Sequence, residues 1–207
     1  MRNDVLTIGH STHPLRSFIG LLLQHSITAL CDVRSSPYSR LNPQFNREDL
    51  MTSLRGYGIK YVFLGKELGA RAQDDTCYEN GKVRYDRLAS TDLFKHGLDR
   101  IRRGMKDYRL ALMCAEKEPL ECHRGILIAR HLVNLGIDVQ HVHADGSLET
   151  HSDALARLVR ALNLDEKNMF LSRAELLEDA YRRQEYRIAY ESGSDSQTKN
   201  VARSAAG

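Results

Sequence analysis

Five short apolar runs, each followed by a stretch of helical period, restrict this chain to very few architectures. The runs lie at 5–8, 27–33, 59–64, 109–114 and 137–143. They are apolar on both sides of a pleat, as in strands covered on both faces, and that is the mark of a parallel sheet. Between the first two, Leu15, Phe18, Ile19, Leu22 and Leu23 recur at helical spacing behind Pro14, which suits a first turn. Helices are also predicted over 47–57 and 90–107, and one opens at Glu121 or Cys122 and stops at Gly136. Strands alternating with helices give an α/β, Rossmann-like three-layer fold with a central, mostly parallel sheet. Residues 65–89 read as a long irregular connection with Gly65, Gly69 and Gly81, and such a length points to a functional or mobile loop.

Two further helices, at 152–163 and 172–188, make a helical C-terminal appendage. The predicted organisation is an α/β domain over 1–150, a helical extension over 151–191 and a disordered tail over 192–207. With 207 residues, 42% of them hydrophobic and 28% charged, the chain has a globular composition with enough material for a full core. Four cysteines do not make a disulfide scaffold. No run approaches the ~20 apolar residues of a membrane span, so no membrane partner is expected. The first residues carry no basic stretch followed by an apolar segment, so the expected location is the cytoplasm. The net charge of +3 permits an anionic ligand without demanding one.

In such folds ligands sit at the carboxyl ends of the strands. Those ends read Gly9-His10-Ser11, Asp32-Val33-Arg34-Ser35, Gly65-Lys66-Glu67-Leu68-Gly69, Cys114-Ala115-Glu116 and His141-Val142-His143. Glu67 and Glu116 are the candidate acid/base groups, and paired carboxylates can run glycosidic hydrolysis. Asp32 can orient a sugar hydroxyl or water, or it can simply pair with Arg34. His10 is a base, an anion ligand or a structural histidine. Ser11, Ser35, Ser36 and Ser39 supply hydroxyls to the same rim or cap turns.

The densest segment, Cys114 to Arg124, leads into the fourth helix. Free backbone N–H groups at that helix start, with Arg124 and Arg34, would hold an anion. Cys122, beside His123 and Arg124, is either a thiol of lowered pKa or an inert buried cysteine. Cys122 and Arg124 are two residues apart and Cys114 and Arg124 ten, so neither matches a phosphatase or sulfurtransferase loop. A metal held by Cys114, Cys122, His123 and His143 is an alternative, though no CxxC or HExxH supports it. Lys95, Arg100, Arg102, Arg103 and Lys106 form either a phosphate-backbone patch or a solvated helix face.

Several of these residues together resemble the DUF488 family. They are Gly9-His10-Ser11, Asp32-Val33-Arg34-Ser35 with Pro37 and Ser39, Phe45, Gly58-Ile59, Tyr61, Leu64-Gly65, Glu67-Leu68-Gly69, Cys114, Glu116 and Cys122-His123-Arg124. The resemblance spans roughly residues 5–150 and implies a compact α/β fold, but no particular activity. The residues themselves point to a hydrolytic enzyme acting on a phosphate-bearing small molecule, nucleotide or nucleic acid. In this reading Arg34, Arg124 and the helix start hold the anion, with Ser11, Ser35, Ser39 and Cys122 around it. Glu116 or Glu67 is the acid or base, Asp32 orients, and His10 or His123 assists. The alternatives are a non-catalytic binding or sensing module and a metal- or thiol-dependent redox protein. The sequence assigns neither a cofactor nor an oligomeric state.

Overall fold

β1, Asp4–Gly9, is a central strand whose side chains are buried from Val5 onward. The computed structural model describes residues 3–164 and 172–192, and the tail expected over 192–207 lies outside the described residues except for Ser192. From β1 the chain runs through α1 (Leu15–Gln24), β2 (Ala29–Asp32), α2 (Arg47–Arg55) and β3 (Lys60–Phe63). A short helix α3 (Gly65–Leu68) and a hairpin of β4 (Tyr78–Glu79) and β5 (Lys82–Val83) follow. Next come α4 (Tyr85–Ser90), α5 (Asp92–Gly104) and β6 (Leu110–Cys114). A π-helical segment at Arg124–Ala129 continues into α6 (Arg130–Asn134), and Gly136 takes φ +76° just beyond it, the stop expected there. β7 (Asp138–Val142), β8 (Leu148–Thr150), α7 (His151–Ala161) and α8 (Arg173–Ile188) complete the described chain.

The six-stranded sheet has the order β3-β2-β6-β1-β7-β8. Its first five strands are parallel, and β8 runs antiparallel to β7. Alternate residues face opposite sides. Leu6, Ile8, Leu30, Ala111 and Met113 meet Phe18 and Leu22 of α1 and Leu50 and Leu54 of α2. Val5, Cys31, Leu110, Leu112 and Val139 face the other way, against α5 and α6. Residues of α7 and α8, among them Leu155, Leu158 and Tyr181, are buried in that same second cluster.

This layering fixes where a site can form. Crossovers from β1 and β2 leave toward the first face, and that from β6 leaves toward the second. β6 lies between β2 and β1, so its end is flanked on both sides by connections that depart the other way. Such reversals open a crevice beyond the strand ends. Backbone bonds continue past the strands here: His10 donates to the Cys114 carbonyl and Ser11 to that of Ala115. No helix among the described residues is long and apolar enough to cross a membrane.

Two expectations need correction. The helix expected over 90–107 is α5 with narrower bounds: it starts after Thr91, whose hydroxyl accepts from the Phe94 N–H at 3.2 Å, and Ser90 closes the separate α4. Residues 65–89 are not irregular throughout, since they hold α3, the hairpin and most of α4.

Candidate functional site

Two hollows of about 450 and 440 Å³ adjoin at the carboxyl end of β6. Arg34, Ser36, Tyr38, Ala115 and Glu116 line both. The first also reaches Cys114, Cys122 and His123, and the second reaches His10, Ser11, Ser39 and Lys117.

One wall is built from β2. The Asp32 carboxylate is fully buried and accepts from Arg34 Nε at 2.9 Å, Arg34 NH2 at 2.6 Å, the Arg34 backbone N–H at 3.1 Å and the Tyr61 hydroxyl at 2.7 Å. Arg34 NH2 also donates to the Phe45 carbonyl, and NH1 lies 3.2 Å from His10 Nε2. A guanidinium only donates, so Nε2 accepts and the His10 proton sits on Nδ1, which donates to the Ser11 carbonyl at 2.9 Å. His10 stacks on Phe45 with ring centroids 4.4 Å apart. Burial and the Arg34 charge outweigh the Ser11 bond and lower its pKa to about 4, so the ring is neutral at pH 7. Asp32 and Arg34 are therefore a buried pair, and the side of Arg34 turned to the hollows is what remains for a ligand.

The other wall comes from the segment after β6. His123 Nε2 lies 3.1 Å from the Val33 carbonyl, which can only accept, so this nitrogen carries a proton. His123 Nδ1 is left facing two sulfurs, Cys114 Sγ and Cys122 Sγ, each at 3.8 Å. Cys122 Sγ donates to Glu116 Oε2 at 2.9 Å. Two acidic groups that close cannot both be anionic without a cation, so a proton is held between them. Glu116 is pushed up, first by burial and then by Cys122. The hydrogen bond to Cys122 and burial hold Cys114 well above the ordinary thiol range. Burial also raises Cys122, but Cys114, Arg124 and His123 outweigh it and draw the thiol well down. His123 is raised, because Cys122 and Glu116 overcome the opposing effect of burial.

Arg124 does not reach the hollows. It is fully buried, and its guanidinium donates to the Glu116 and Lys117 carbonyls at 2.7 and 2.9 Å. The helix start turns three of its N–H groups back on Cys122. Arg124 N–H points at Cys122 Sγ at 3.5 Å, and the Gly125 and Ile126 N–H groups both donate to the Cys122 carbonyl. Local bonds therefore occupy the Arg124 NH1 and NH2 groups and these backbone donors, while Arg124 Nε is buried without a hydrogen-bond partner. Glu67 also lies elsewhere: α3 turns it away to pair with Arg100 of α5. His143 pairs with Glu149 at 3.1 Å and stands apart from the Cys114–Cys122–His123 trio. Ser35 accepts from the Arg71 N–H and Ser39 from the Asn42 N–H, so both hydroxyls order the loop that lines the hollows. On α5, Lys95 pairs with Asp92, and Arg102 and Arg103 pair with Asp99.

The chemical core of this site lies within residues matched by a known family: the one described as "Domain of unknown function DUF488" matches residues 14–131. The chain belongs to the DUF488 family. The match is narrower than the stretch over which the motifs resemble it, and it leaves β1 and its His10 outside. No curated protein and no solved structure matches the chain. In this DUF488 protein the first hollow also has walls that no strand-end rule points to. Arg71 comes from the long connection, Tyr85 from α4, and Ile188 and Tyr190 from the end of α8. Only Tyr61 carried a signal, as part of the family motif, and it proves to brace Asp32.

Proposed function

We propose that this DUF488 protein is a hydrolytic enzyme acting on a small phosphate-bearing substrate, with Glu116 as the acid–base group. The observation that carries this reading is the position of Glu116 in the wall shared by both hollows, next to Arg34. A substrate spanning the two would pass its scissile bond over that carboxyl. Arg34, Arg71 and Lys117 line the hollows and supply donors suited to a phosphate, Arg34 with its charge matched by Asp32 and with Glu116 and Glu121 in the same lining. Their size suits a small molecule or mononucleotide. A nucleic-acid backbone is less well served, because Lys95, Arg102 and Arg103 of α5 are paired with acids on their own helix and Arg100 with Glu67 of α3.

Turnover measured across nucleotides, sugar phosphates and phosphodiesters tests the reading. Glu116→Gln should lower kcat by about 100-fold or more, the usual size of a general acid–base contribution. It should leave the ligand-induced thermal shift in place, because binding rests on the Arg34, Arg71 and Lys117 donors. A ligand at 100 times its Kd adds about 2.7 kcal/mol of stability, which is readily seen. Undiminished turnover in Glu116→Gln would remove the assignment. No stabilisation by any phosphate compound would remove the substrate class.

A further inference from the structure

The acid–base role proposed for Glu116 does not use the Cys114–Cys122–His123 trio, a cluster of metal-ligand types among the described residues. Its three ligand-type atoms lie within 4.8 Å of one another, and all three residues are buried. We infer that they bind one zinc-class divalent cation, with the fourth coordination position opening toward Glu116 and the hollow.

The donor set comes first. Two thiols and one imidazole suit a borderline-soft cation and do not suit magnesium or calcium. The spacing follows. A tetrahedral cation with Zn–S of 2.3 Å and Zn–N near 2.0 Å needs N···S edges of roughly 3.6 Å. Both edges here are 3.8 Å, so a cation fits with shifts of a few tenths of an ångström. The imidazole is already set for the task. Its Nε2 is tied to the Val33 carbonyl, which fixes the ring and leaves Nδ1 as the ligand atom. Histidines that bind metals are characteristically held in this way through the other ring nitrogen. Arg124 adds an N–H···S contact to Cys122 at 3.5 Å, the kind of outer bond that supports a metal thiolate.

Charge balance supports the same conclusion. Two thiolates around a dication with a neutral histidine make an electrically neutral cluster, which a buried site tolerates. Binding displaces the Cys114 proton and frees Cys122 of the proton it shares with Glu116. Glu116 Oε2, 2.9 Å from Cys122 Sγ, stands at the open side. Three protein ligands with one open position are the pattern of a catalytic rather than a structural zinc site. The inference rests on the same pocket as the proposed function and adds a cation beside its acid–base group.

The test uses the full chain, purified under reducing conditions without a metal-affinity step. It is incubated with zinc, dialysed, and analysed for metal per chain. About one equivalent should remain on the wild type and on Cys77→Ala. It should be lost in Cys114→Ser, Cys122→Ser and His123→Gln. Cobalt in place of zinc should give thiolate-to-metal charge-transfer and tetrahedral d–d bands in the wild type and in Cys77→Ala, and in none of the three ligand variants. Wild type with both thiols reduced that keeps less than about a tenth of an equivalent overturns the inference, whether or not the variants fold. Retention of the full equivalent in a Cys114→Ser/Cys122→Ser double variant overturns it as well. The outcome is separable from the hydrolytic reading. Glu116→Gln should keep the metal while losing turnover, and a wild type that retains no zinc yet turns substrate over would overturn only the cation.

Discussion

The Asp32 carboxylate has four donors around it and no contact with water, so each donor can be tested separately. Tyr61→Phe removes one hydrogen bond of 2.7 Å to a charged acceptor and leaves the ion pair with Arg34 in place. The expected loss is about 1.5–3 kcal/mol. Asp32→Asn leaves the nearly buried Arg34 guanidinium without a counter-charge, and about 3–5 kcal/mol should go. Urea unfolding of the two variants gives the order. A smaller loss in Asp32→Asn than in Tyr61→Phe would show that the pair is not what holds this wall. The residues of the pair were legible in the sequence because β2 ends on them, and a parallel strand presents its last residues to the rim. The same rule selected His10, Cys114, Glu116, Cys122 and His123 correctly as neighbours. It misplaced Glu67, because Gly65–Leu68 coils into a helical turn and sends that side chain to Arg100. It misjudged Arg124, because side-chain direction and local carbonyls decide whether an arginine faces a ligand, and spacing along the chain carries neither.

Elements as units were legible in proportion to how much apolar surface each buries. The five parallel strands and the helices packed on them announce themselves by period. The two-residue strands β4 and β5 bury too little to do so, although Asn80-Gly81, at φ +51° and +78°, is the turn signal of a tight hairpin. β8, three residues long behind another Asp-Gly pair, was hidden for the same reason. At this scale the end of β1 is the most exacting junction. A Cβ on Gly9 would lie 1.9 Å from the Glu116 carbonyl oxygen, a backbone atom held in turn by Arg124. Gly9→Ala therefore forces the segment after β6 outward. It should cost about 1–3 kcal/mol and reduce both turnover and metal retention. Gly20 lies exposed in α1 with nothing within 4 Å of its would-be Cβ, so Gly20→Ala should stabilise by about 1 kcal/mol. Thermal melts of the two variants should move in opposite directions. A neutral Gly9→Ala would mean that the β1–β6 junction has slack that its geometry denies.

Across the whole molecule, a line of buried polar groups ties the sheet to the C-terminal helices. Thr7 Oγ1 lies 2.7 Å from His141 Nδ1, His141 Nε2 lies 3.0 Å from His151 Nδ1, and His151 Nε2 lies 2.8 Å from the Tyr181 hydroxyl. His141 Nε2 and His151 Nδ1 face each other, so only one of these two nitrogens carries a proton and the rings cannot both be cationic. Burial lowers the pKa of His151 to about 4 and that of His141 well below its usual value. In the unfolded chain both return to about 6.5. Between pH 6.5 and 4 the unfolded state therefore binds protons that the folded state refuses, and stability is lost as the pH falls. The slope is at most about 1.4 kcal/mol per pH unit for each histidine. His123, Glu116 and Glu185, whose pKa values are raised, act with the opposite sign, so the total slope mixes several groups. A variant isolates the contribution. His151→Gln keeps one donor and one acceptor but cannot titrate. At pH 7 it should be less stable than the wild type, because the amide fits the line poorly. On acidification its disadvantage should shrink by up to about 1.4 kcal/mol per pH unit, because only the wild type loses the His151 contribution. Urea midpoints at pH 7, 6, 5 and 4 measure this. A difference that stays constant with pH would mean that His151 titrates alike in the folded and unfolded chain, and that the line from Thr7 to Tyr181 does not keep it neutral.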